Sequence, residues 1–160
     1  MCGALPSCFS GVDEVGTTWS WKRVVLWTAV GLVGIFAAMQ LVPYGWRHSN
    51  PPVTADAPWP SAATAKLARE ACYDCHSNET RWPVWSYVAP VSWVVRQHVD
   101  EGRRILNFSD WTGRRHRLDD AAETIQEGSM PPAYYTALHP SARLSSAEKQ
   151  QLIDALKQMH

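Results

Sequence analysis

No charge of either sign dominates this sequence: 15 lysines and arginines offset 15 aspartates and glutamates, and charged residues make up only 19% of it. It therefore lacks the bulk positive field on which nucleic-acid binding usually draws, and no nucleic-acid partner is expected. Internal repeats and low-complexity tracts are also missing, which removes repeat arrays from consideration. Disorder is excluded by a hydrophobic share of 46%, enough to fold a core. With 160 residues there is room for one domain of ordinary size and not two. Cysteine is scarce, at four residues, so the spacing of those four carries more than their number.

What the sequence does have is one long apolar run. Residues 24–42 read VVLWTAVGLVGIFAAMQLV, broken only by Gln40. At about 1.5 Å per residue such a helix covers roughly 28 Å, close to the hydrocarbon thickness of a bilayer. A cleavable signal peptide is the competing reading. Its apolar region is normally shorter and ends in a small-x-small site, which Ala37, Ala38, Met39 and Gln40 fit poorly. The run therefore reads as an uncleaved anchor over residues 21–43. Lys22 and Arg23 directly before it put the N-terminal tail in the cytoplasm and everything after it outside, although Arg47 weakens that bias. Trp21, Trp27, Tyr44 and Trp46 lie at or near its ends, where amphipathic rings favour the interface.

Four parts follow. Residues 1–20 are a cytoplasmic tail in which Cys2 and Cys8 are unpaired thiols. Residues 21–43 are the transmembrane anchor. Residues 44–60 contain Pro51, Pro52, Pro58 and Pro60, just after Pro43, and are expected to form a semi-rigid spacer holding the domain off the membrane. Residues 61–160 form an all-α domain. Its helical stretches are 61–71, a segment opened by Pro90, 117–127 ended by Gly128, and a last helix started by Ser145 and Glu148 at capping-box spacing, with Leu152, Ile153 and Leu156 on its apolar face. Long loops are expected at 77–89 and 129–144. No segment alternates convincingly as a strand.

Chemistry concentrates at Cys72-Tyr73-Asp74-Cys75-His76, a C-x-x-C-H string and the attachment signature of c-type haem. Two thiols three positions apart can each bond one vinyl group, while the adjacent histidine is left beneath the ring to bind iron. Three other readings are weighed. A zinc site needs a second ligand pair, and no other C-x-x-C or H-x₃₋₅-H occurs. A thioredoxin-like pair needs a βαβ context that is missing. A plain disulfide between Cys72 and Cys75 fits an oxidising compartment.

For a second axial ligand, Met130 is followed by Pro131 and Pro132, which fix an extended loop that could hold the thioether toward iron. The other methionines are Met1, Met39 in the anchor and Met159 near the end, so Met130 is the sulfur candidate by elimination. His98 is the alternative: Val91, Val94, Val95, His98, Gly102 and Ile105 follow a 3.6 period and mark an inward face. His48, His116, His139 and His160 are weaker candidates, in flanks, in a basic run or in a loop. Trp82, Trp85, Tyr87, Trp93, Phe108 and Trp111 follow the haem motif, and their rings could wall a porphyrin or donate to its propionates; Trp82, Trp85 and Trp93 are taken as the haem-pocket tryptophans. Ordinary core packing explains any one of them equally well. Arg103, Arg104, Arg114, Arg115 and Arg117 form a basic patch suited to propionates or to an acidic partner, though a solvated helix face explains them too.

With CYDCHSNETRWPVWSYVAPVSW, HVDEGRRILNFSDW and MPPAYYTALHPSARLSSAE in view, the chain resembles the bacterial haem-binding domain family of small membrane-anchored proteins with one C-x-x-C-H motif. The resemblance covers most of residues 70–148. It implies a cytochrome c-like domain carrying one covalent haem c on the periplasmic face of the bacterial inner membrane. The expected function is one-electron transfer with His/Met ligation to an unidentified redox partner protein, and no enzyme activity. The alternative is a haem-based ligand-binding or sensor protein, or a weak peroxidase, with His98 over an open or histidine-ligated distal site.

Overall fold

The computed structural model describes residues 20–111 and 117–159. Cys2, Cys8, Arg114, Arg115, His116 and His160 lie outside them. Among the described residues every regular element is helical, and one isolated parallel bridge, Ala55 to Asp110, takes the place of a sheet. The chain divides into two compact units, Met1–Ala38 and Met39–His160.

The first described helix, α1, spans Trp21–Gln40 and buries none of its residues. Its mean hydropathy of 1.6 and 20-residue length, about 30 Å at the usual rise, make it long and apolar enough to cross a membrane.

Among the described residues the second unit has six α-helices: α2 (Ala62–Ala71), α3 (Tyr73–His76), α4 (Val91–Ile105), α5 (Leu118–Glu127), α6 (Ala133–Leu138) and α7 (Ser146–Gln158). Two start as their residues dictate. Ser61 Oγ accepts from the Thr64 amide at 3.1 Å while Thr64 Oγ1 accepts from the Ser61 amide at 3.2 Å. Ser145 and Glu148 form the same reciprocal box on α7, as their spacing requires. The core gathers Ala68 of α2, Leu118, Ala122 and Ile125 of α5, and Leu152, Ile153 and Leu156 of α7 around Tyr73, Leu106 and Phe108. Leu152 and Leu156 are almost wholly buried, and each contributes about 1.5–3 kcal/mol by its removal from water.

Three expectations need correction. Residues 44–60 are not a free spacer. The Thr54 amide donates to Ser109 O at 3.0 Å, the Ala57 amide donates to Phe108 O at 2.8 Å, and Ala57 is part of the core, so this stretch is a structural strap of the domain. The segments expected as loops contain a 3-10 turn, Val84–Tyr87, and the short helix α6. Finally, Pro90 occupies the N-cap of α4 and its buried face is Ser92, Val99 and Gly102, while Val91 and Val94 are exposed. The inward face is therefore rotated by about one residue from the one the valines suggested, because a buried serine carries no hydrophobic signal.

α3 approaches α4 closely at Gly102. A β-carbon there would fall inside contact distance of the Cys75 carbonyl, 2.9 Å from its carbon atom. In an unobstructed helix Gly→Ala stabilises by about 1 kcal/mol. Here Gly102→Ala is expected to lower stability by about 1–3 kcal/mol through overpacking, measured as a fall in thermal midpoint; a rise in the midpoint would contradict the close approach.

Candidate haem site

Cys72 ends α2 and begins α3: its amide donates to Ala68 O at 2.8 Å, and its own carbonyl accepts from the Cys75 amide at 3.1 Å and the His76 amide at 2.9 Å. That single turn brings both thiols and the imidazole to one wall of a cavity. They stand there as free thiols and are not joined in a disulfide. His76 Nδ1 lies 3.0 Å from Gly102 O and 3.1 Å from Leu106 O. Both partners can only accept, so Nδ1 carries the proton and Nε2 keeps its lone pair. This backbone anchoring of one ring nitrogen is how a ligating histidine is oriented toward a metal.

Electrostatics agree with a neutral site. Burial lowers the His76 pKa, against the two backbone bonds that raise it. Burial pushes the Cys72 thiol up to about 12, helped by Cys75, and the Cys75 thiol up to about 11, helped by Asp74. Burial thus favours the neutral form of both thiols. Among the described residues no three His, Cys, Asp or Glu side chains come together to hold a metal ion.

The cavity measures about 360 Å³, within the usual size of a ligand pocket. Its walls come from every helix of the second unit, including Trp59, Phe108, Ile125, Leu152 and Leu156. His98 and Met130 both line it, so the structure brings the two rival ligands to the same site as the Cys72–His76 turn. Met130 is positioned by the end of α5. Gly128 turns there with φ +80°, a left-handed conformation that favours glycine, and the Ser129 and Met130 amides both donate to Thr124 O, at 3.0 and 3.1 Å. His98 Nδ1 is 3.2 Å from the Tyr134 hydroxyl, with the two rings stacked at 5.3 Å.

Trp82, Trp85 and Trp93 are not on the cavity wall among the described residues. Trp82 donates to Asn50 Oδ1, Trp85 meets the His139 ring, and Trp93 sits on α4 with its indole N–H buried and unpaired. Trp59 occupies the wall instead, its indole N–H donating to the Tyr73 hydroxyl at 3.0 Å. Of the basic patch, Arg117 reaches the cavity, Arg104 pairs with Glu101, and Arg103 donates to Ser77 O and Thr80 Oγ1.

Sequence reasoning passed over Asp74, one of the two variable positions of the motif. It is 7% exposed, and its carboxylate accepts from the Arg81 amide, from the Arg81 guanidinium and from the Tyr135 hydroxyl at 2.7 Å. Tyr135 belongs to α6, which follows Met130 by three residues, so Asp74 ties the Cys72–His76 turn to the element that carries the Met130 loop. The apolar wall, the two thiols and the free imidazole nitrogen together fit a haem.

Comparison with known proteins points the same way. A family model described as the haem-binding domain matches residues 34–158. The chain is 25% identical over 147 residues to the cytochrome c peroxidase Ccp of Escherichia coli (strain K12), a match covering 82% of this chain and 32% of that protein. The chain thus spans about a third of that relative's length. No solved structure matches.

Asp74→Ala strands the Tyr135 hydroxyl and a guanidinium, and is expected to cost about 2–3 kcal/mol. Arg81 has a 61% exposed side chain, so Arg81→Ala is expected to cost less than about 1 kcal/mol. Chemical denaturation of the two variants checks the order; equal losses would mean that Asp74 serves the surface pair alone.

Proposed function

Because the chain belongs to the haem-binding domain family, we propose that it is a membrane-anchored c-type cytochrome-like protein whose task is one-electron transfer. Cys72 and Cys75 would hold the haem covalently, with His76 Nε2 as one axial ligand and Met130 Sδ as the other. The haem, when bound, supplies reversible one-electron chemistry at iron; the chain's own residues hold it, keep it dry and set its potential. The observation that carries this reading is the His76 ring, anchored through Nδ1 to Gly102 O and Leu106 O beside both thiols of the motif. Met130, Pro131 and Pro132 line the same cavity, which supports sulfur as the second ligand. Placement of the domain on the periplasmic face, anchored by α1, agrees with the charge order around that helix.

A second reading draws on a separate observation. His98 faces the cavity with its Nδ1 beside the Tyr134 hydroxyl, and the similar Escherichia coli protein is a cytochrome c peroxidase. Were Met130 away from iron, His98 could act as a distal acid and base for a small ligand.

Absorption spectra of the full chain in both oxidation states separate the two. Electron transfer predicts a six-coordinate low-spin spectrum and slow carbon monoxide binding, with Met130→Ala giving a high-spin spectrum and fast binding while His98→Ala leaves both unchanged. A high-spin parent protein that binds carbon monoxide rapidly, or a spectrum altered by His98→Ala and not by Met130→Ala, would overturn the His/Met assignment.

A further inference from the structure

Neither residues 40–46, QLVPYGW, nor residues 82–95, WPVWSYVAPVSWVV, carry a charged residue. They lie far apart in sequence and are held together in the fold. Gln40, the last residue of α1, donates from its amide to Ala89 O at 3.1 Å and accepts from the Ala89 amide at 3.0 Å. A few residues on, the His48 ring packs on Tyr87 at 4.0 Å and contacts Ser86 through Nε2. Arg96 Nη1 donates to Arg47 O.

Both stretches expose their apolar side chains. Val84 is 82% exposed and Leu41 76%, and Tyr44, Trp46, Tyr87 and Val88 are exposed with them. An apolar and aromatic patch of this kind is costly in water unless something covers it. Its position says what does: the patch is clipped to the residue at which α1 ends, the point where the chain would leave the hydrocarbon. The residues that flank the two stretches in sequence are Arg47, Arg81 and Arg96, of which Arg81 pairs with Asp74 and Arg96 with Asp100, and neither stretch contains a carboxylate. Tyrosine and tryptophan over aliphatic side chains, rimmed by arginine, is the composition that partitions into the boundary between anionic headgroups and acyl chains.

We propose that the surface formed by residues 40–46 and 82–95 rests in the headgroup boundary of an anionic bilayer, so that the domain is docked on the membrane and not held away from it by a spacer. The proposal rests on α1 spanning that bilayer. Docking would fix the domain's orientation to the lipid plane, and with it the direction from which a redox partner can reach the cavity.

The test uses the full chain reconstituted in phosphatidylethanolamine and phosphatidylglycerol nanodiscs, in a Cys2→Ser, Cys8→Ser background with a nitroxide label at one introduced cysteine. Val84→Cys probes the patch, Glu123→Cys a water-facing surface and Val33→Cys the centre of α1. The readout is accessibility of the label to oxygen against a water-soluble nickel chelate. Docking predicts a ratio several-fold higher at Val84→Cys than at Glu123→Cys, and highest at Val33→Cys. A Val84→Cys ratio equal to that of Glu123→Cys, with Val33→Cys still lipid-exposed, would overturn docking while leaving the anchor intact. A Val84→Cys label shielded from both reagents would overturn it in favour of a protein partner. A water-exposed Val33→Cys label would remove the anchor and the docking together.

Discussion

One imidazole N–H, that of His76 Nδ1, is shared between the Gly102 and Leu106 carbonyls at the end of α4, and the approach it requires is open only because residue 102 has no side chain. The consequences run outward from there. With Nδ1 committed to the backbone, Nε2 is the nitrogen left to face the cavity, in the tautomer that ligates a metal. With α3 held on α4, both cysteines of the same turn meet the same wall. A substitution that separated the helices by a fraction of an ångström would release the ring, the tautomer and the thiols together.

Around this bond the fold is braced by polar groups as much as by its core. The Phe108 amide donates to His76 O, Ser77 Oγ donates to Tyr73 O, and Ser109 Oγ accepts from the Asn78 amide. Arg103 closes the same network onto Ser77 and Thr80. Buried and satisfied polar networks of this type specify one geometry where apolar contacts would tolerate several. Asp74 extends the bracing to Tyr135 of α6, which links the Cys72–His76 turn to the chain that follows Met130.

How far the sequence announced this differs from part to part. Five adjacent residues hold the thiols and the imidazole, so their grouping at one site was legible without any knowledge of the fold. The apolar run of α1 and the serine cap of α7 were legible for the same reason, since each depends on near neighbours in sequence. The strap over residues 44–60 was not, because prolines favour an extended chain whether or not that chain is bonded to a domain. The tryptophans misled by proximity: Trp82, Trp85 and Trp93 follow the motif closely in sequence, yet the cavity takes Trp59 from the strap. On α4 the apolar residues Val91 and Val94 are exposed while Ser92 is buried, so hydrophobic periodicity misplaced the first turn, yet it put His98, Gly102 and Ile105 on the side that lines the cavity. Met130 was found by elimination among four methionines, and the fold supplies the reason for its placement in the turn at Gly128.

The central claim is that the Cys72–His76 turn holds one haem through two covalent bonds, and intact-mass spectrometry of the denatured full chain, purified from cells that mature c-type cytochromes, tests it directly. Covalent attachment gives a single species heavier than the polypeptide by one haem, with Cys72→Ser plus Cys75→Ser returning the mass of the bare chain. Recovery of the parent protein at bare polypeptide mass, with any haem lost on denaturation, would contradict it.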